Sequence, residues 1–121
     1  MGVFNKSESV NHETTVIASG AIFKGEISVN GNIHIDGNVE GNISTTTNVS
    51  IGNKGAVKGE VKAKKMIISG FFEGKANCHE IEILKDGSLK GEIVVENIII
   101  EKGGDFSGIC HKKDKELTVK K

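Results

Sequence analysis

Gly37-Asn-Val39-Glu-Gly41-Asn-Ile43 is the clearest of six copies of one pattern, Gly-x-Φ-x-Gly-x-Φ, in which Φ is apolar. The pattern returns as Gly55-Ala-Val57-Lys-Gly59-Glu-Val61, Gly70-Phe-Phe72-Glu-Gly74-Lys-Ala76, Gly87-Ser-Leu89-Lys-Gly91-Glu-Ile93 and Gly104-Asp-Phe106-Ser-Gly108-Ile-Cys110. A degenerate first copy, Ala21-Ile-Phe23-Lys-Gly25-Glu-Ile27, has Ala in the opening glycine slot. The second glycines stand at 25, 41, 59, 74, 91 and 108, so the intervals are 16, 18, 15, 17 and 17 residues. A repeat of that length cannot bury its apolar side alone and stacks on its neighbours as a solenoid.

Aligned copies give three apolar columns. The first lies four residues before the opening glycine slot: Ile17, Ile33, Ile51, Met66, Ile83, Ile100. The second lies between the glycines: Phe23, Val39, Val57, Phe72, Leu89, Phe106. The third follows the second glycine: Ile27, Ile43, Val61, Ala76, Ile93, Cys110. Alternation such as Ile33-His-Ile35 and Ile81-Glu-Ile83 has the period of a strand, and Asp36-Gly37 and Asp86-Gly87 are turn signals. The chain is therefore expected to be all-β: a parallel β-helix of about six triangular coils, its apolar columns piled into core ladders. The first-to-second and second-to-third column spacings are constant in this alignment. Only the third-to-next-first segment varies, at 6, 8, 5, 7 and 7 residues, so it is expected to hold the tolerant corner. Strand spacing predicts a rod about 25–30 Å long. Neither end of the repeat shows a cap. Unpaired strand edges and a bare core cross-section invite another rod to stack there, through Ile17, Phe23 and Ile27 at one end and Ile100, Phe106 and Cys110 at the other.

Composition narrows the partners. The 16 basic residues are all Lys and balance 16 acidic ones, so no net field draws the chain to nucleic acid. Without Arg, Trp or Tyr it lacks the fork and the stacking surfaces that read nucleic acid best. No apolar run reaches the roughly 20 residues that span a bilayer. The first 15 residues are polar apart from Val3, Phe4 and Val10 and carry no secretory signal. Two cysteines at unrelated positions fit a reducing, cytoplasmic compartment.

With these residues in view, the chain closely resembles the bactofilins, bacterial cytoskeletal proteins. The likeness rests on the Gly-x-Φ-x-Gly-x-Φ units, on Ile33-His-Ile35-Asp36-Gly37-Asn-Val39-Glu-Gly41 and on short polar tails, and covers about residues 14–110. It implies a right-handed parallel β-helix flanked by disordered tails, 1–13 and the Lys-rich 111–121. It implies end-to-end polymerisation without nucleotide into nonpolar filaments, and a scaffold at the inner face of the cytoplasmic membrane. There the family positions cell-wall synthesis or hydrolysis proteins and helps set cell shape; DNA-related partners are a secondary implication. Phe106 matches a C-terminal core Phe important for polymerisation in the family. Met1-Gly-Val3-Phe4-Asn-Lys6 looks like the family's membrane-targeting stretch, with Val3, Phe4 and Lys6 as its contacts to lipid.

Enzymatic chemistry is not expected. His12, His34, His79 and His111 share no strand column, so no metal-binding ladder forms. Cys78 and Cys110 both fall on inward positions two coils apart, beyond disulfide reach, and read as small core residues. No Ser or Cys sits beside a base, and Gly70 to Ala76 lacks the spacing of a phosphate-binding loop. The alternative, a left-handed β-helix acyltransferase, needs a strict six-residue period and a loop with a catalytic His. A surface adhesin needs secretion. No cofactor or metal is called for.

Overall fold

The computed structural model describes residues 14–113. Ten strands form one continuous parallel sheet wound into six coils. They are β1 (Thr14–Ile17), β2 (Ile22–Val29), β3 (Asn32–Ile35), β4 (Asn38–Thr45), β5 (Asn48–Ile51), β6 (Ala56–Ile68), β7 (Phe71–Ile83), β8 (Ser88–Val95), β9 (Asn97–Ile100) and β10 (Asp105–Lys112). β6 and β7 each run 13 residues because they turn a corner without leaving the ladder. β10 reaches Lys112, which puts His111 and Lys112 in the last strand rather than in a tail.

Each coil has three sides. One is the short strand, such as β3. The other two are halves of the eight-residue strand, bent at the second glycine of the repeat. Those glycines stack directly, Gly25 on Gly41, Gly41 on Gly59 and onward to Gly108. Their φ values lie between 131° and 141°, a region closed to side chains with a Cβ. A methyl at Gly74 would also meet the carbonyl oxygen of Gly59 at 2.0 Å. Only glycine allows both the bend and the ladder spacing of about 4.8 Å.

The register corrects the first column. Ile17 pairs with Ile35, Ile35 with Ile51, Ile51 with Ile68, Ile68 with Ile83, and Ile83 with Ile100. Ile33 and Met66 belong to a neighbouring column with Thr15, Val49, Ile81 and Ile98. The cause is a turn of two lengths. Asp36-Gly37 and Ser69-Gly70 take two residues to reach the long strand, whereas Gly52–Gly55 and Leu84–Gly87 take four. Counting back four from each glycine therefore lands one pleat early in two coils. The slack is largest here, and not confined to the segment after the third column.

A further inward column runs Val29, Thr45, Ala63, Cys78, Val95 and Lys112, so the core has five columns and not three. In the four inner coils all of its positions are buried. Ile33, Val39, Ile43, Ile51, Val57, Val61, Met66, Phe72, Ala76, Ile83, Leu89 and Ile93 all lie in this core. Thr45 is its one buried polar side chain among the described residues. Its hydroxyl donates to the Gly31 carbonyl at 2.6 Å and accepts from the Thr47 amide at 3.2 Å, so it carries no desolvation penalty.

Candidate self-assembly ends

The four inner coils are sandwiched; the first and sixth are not. β1 and β2 pair only with β3 and β4, and β9 and β10 only with β7 and β8. Each terminal strand thus presents one edge of backbone donors and acceptors without a strand partner among the described residues.

The apolar side chains follow the same division. At the first coil Ile17, Phe23, Ile27 and Val29 are half-buried, packed on the core below and with no described strand above. At the sixth, Ile98 and Phe106 are half-buried, Ile100 is 46% exposed and Cys110 is exposed. Cys110 keeps the inward register opposite Ile93, but no strand among the described residues stacks beyond it. Of the residues expected at the ends, Ile17, Phe23, Ile27, Ile100, Phe106 and Cys110 are all brought to the two terminal coils. Lys112 closes the fifth column with a charge, and its ammonium donates to the Glu96 carbonyl at 3.0 Å.

Sequence reading named Ile100 at one end but missed the outward rim of each. Among the described residues the exposed large apolar side chains are Val16, Ile22, Ile99, Ile100 and Ile109. Every one belongs to the first or sixth coil. Ile22 faces outward above Asn38, Ala56, Phe71, Ser88 and Asp105, and Ile109 ends a column of Glu26, Asn42, Glu60, Lys75 and Glu92. Comparing outward columns along their length would have exposed Ile109 as an apolar exception, but not Ile22, whose column already holds Ala56 and Phe71. Val3, Phe4 and Lys6 lie outside the described residues, as does His12.

Elsewhere the surface offers little chemistry. His34 pairs with Asp36, His79 with Glu96 and His111 with Glu92, each at 3.0 Å and on or near the surface. Among the described residues no three His, Cys, Asp or Glu converge as a metal site. Burial pushes the Cys78 thiol up to about 11, only partly offset by a backbone hydrogen bond at Ala63 and the charge of Lys113. At neutral pH it is therefore an inert core thiol and not a nucleophile. A concavity of about 490 Å³ is an open trough on the sheet between Asn42, Glu60, Lys62, Lys75, Asn77 and Glu92. Its walls carry both charge signs.

A family model described as bactofilin, polymer-forming cytoskeletal, matches residues 15–111. The chain is 29% identical over 111 residues to bactofilin BacP of Myxococcus xanthus, covering 91% of this chain and 46% of BacP. It is 30% identical over 95 residues to bactofilin BacO of the same organism, covering 78% of this chain and 75% of BacO. The chain thus spans about half the length of the first relative and three quarters of the second. No solved structure matches it.

Proposed function

Since the chain belongs to the bactofilins, a family of polymer-forming cytoskeletal proteins, we propose that it is a non-enzymatic scaffold that assembles end to end, without nucleotide, into filaments lacking polarity. The reading is carried by one observation: all the exposed large apolar side chains among the described residues sit on the two terminal coils, beside strand edges that lack a partner. Burying the rim and pairing the edges would satisfy both at once. Like ends meeting would form two-fold contacts, which leave a filament without direction.

The filament lies at the inner face of the cytoplasmic membrane, positions cell-wall synthesis or hydrolysis proteins and contributes to cell shape. Membrane attachment runs through Val3, Phe4 and Lys6. One such segment binds feebly, but a filament offers many copies and gains by avidity.

High-speed sedimentation of the purified chain in nucleotide-free buffer tests the assembly. Wild type should pellet. Phe106→Arg should stay in the supernatant with its β-sheet circular dichroism largely intact, because Phe106 packs on the core from one side only. A variant that pellets like wild type would remove Phe106 from the contact.

A further inference from the structure

Away from its ends, the rod carries one charge cluster that the filament reading does not use. The corner leading from the long strand to the next short strand stacks Thr46, Lys64, His79, Glu96 and Lys113 from successive coils. Lys62 and Asn77 lie beside it, in register with one another on β6 and β7. Together Thr46, Lys62, Lys64, Asn77, His79 and Lys113 line a groove of about 300 Å³ with no carboxylate in its wall. Glu96, the nearest acid along the corner, is engaged by His79 at 3.0 Å. Among the described residues none of Lys62, Lys64 and Lys113 has a carboxylate within ion-pair distance, whereas Lys65 has both Glu80 and Glu82. The contrast with the neighbouring side is sharp. There Lys24, Glu40, Lys58, Glu73 and Lys90 alternate sign coil by coil, each lysine in register with a carboxylate on the adjacent strand.

We infer that this corner is a binding site for the phosphate headgroups of an anionic phospholipid bilayer. Three ammonium groups with a ring nitrogen, an amide and a hydroxyl between them suit phosphate oxygens. The chain has no Arg, and no Phe, Trp or Tyr lines the groove, so the fork and the broad stacking faces that favour nucleic acid are missing. Hydrated point charges at an edge of the rod match a diffuse layer of lipid phosphates. The site belongs to the folded body, separate from Val3, Phe4 and Lys6, and would fix which edge of the rod faces the membrane. In an end-to-end filament it recurs once per chain, so its affinity would multiply there.

The test uses the full chain with vesicles containing phosphatidylglycerol or phosphatidylcholine alone, and a short DNA duplex as competitor. The variant Lys62→Gln/Lys64→Gln/Lys113→Gln is compared with Lys24→Gln/Lys58→Gln/Lys90→Gln, which removes equal charge from the alternating side. At about five-fold per lysine, the first should lose on the order of a hundred-fold in partitioning to the anionic vesicles. The second should lose far less, and high salt should erase the difference. Equal losses would reduce the site to overall charge, no loss in the first would place binding elsewhere, and displacement from vesicles by the duplex would make nucleic acid the occupant; each overturns the inference. Circular dichroism and lipid-free pelleting, read in parallel, keep a failure of assembly distinct from a failure of lipid binding. The single variant Lys64→Glu, on an exposed side chain, serves should the triple variant not fold.

Discussion

Gly74→Ala and Gly25→Ala place the same methyl group on the same kind of corner, and they should have very different costs. The two φ values are 138° and 137°, so the backbone penalty is shared, at about 1–3 kcal/mol each. What differs is the space. At Gly74 the new Cβ would meet the Gly59 carbonyl oxygen at 2.0 Å and its carbonyl carbon at 2.9 Å. At Gly25, on the first coil, its nearest neighbour is Phe23 Cε1 at 3.8 Å, an ordinary contact. Bringing the Gly74 methyl out to about 3.5 Å requires the coils to part locally by about 1.5 Å. That stretches ladder hydrogen bonds past their working range, and two lost bonds cost about 2–4 kcal/mol. Thermal unfolding followed by circular dichroism measures the difference, at a dilution where Tm no longer depends on concentration. At about 4–8 °C for each kcal/mol, Gly74→Ala should melt roughly 10 °C or more below Gly25→Ala. Equal melting points would refute the view that coil-to-coil contact, and not φ alone, demands glycine here.

Two further outcomes follow from the thiols and the N-terminal segment. A thiol reagent at pH 8 should label one cysteine of the native chain, Cys110, and both after denaturation, since Cys78 is fully buried. The Cys78 pKa is raised from its usual 9.0 to about 11, so folding holds its proton more tightly than the unfolded chain does. The stability tied to that proton is intact below pH 9 and falls by about 2–3 kcal/mol as pH rises to 11; Cys78→Ala should flatten that slope in urea titrations. Removal of residues 1–6 should lower liposome co-sedimentation while leaving lipid-free pelleting unchanged, and undiminished liposome binding would dismiss the segment as an anchor.

The parts of this fold that were legible in the sequence are those with constant spacing. Val39 to Ile43, and the equivalent pairs in every coil, are always four residues apart across a glycine at positive φ. The second and third core columns and the glycine ladder were therefore readable directly. The first column was misassigned in two coils because Asp36-Gly37 and Ser69-Gly70 make a shorter turn than Gly52–Gly55, and a sequence count does not sense a turn's length. The column of Val29, Thr45, Ala63, Cys78, Val95 and Lys112 escaped because its chemistry is mixed: small corner side chains, a satisfied threonine and a terminal lysine carry no common signal. The core residues of the two ends were legible as the first and last members of the ladders. The outward rim of Val16, Ile22, Ile99 and Ile109 was not, since exposure at a terminal coil depends on what fails to stack above it. The basic corner is likewise a product of register, joining Lys62 and Lys64 of the third coil, His79 of the fourth and Lys113 of the sixth.

The axial repeat of the assembled polymer tests the central claim most directly. Imaging of wild-type protein in nucleotide-free buffer should show filaments in which each chain advances the axis by about 29 Å, six coils at the strand spacing of about 4.8 Å, with that spacing continuing across the joints. Filaments in which chains lie side by side, with first and sixth coils open to solvent, would contradict it.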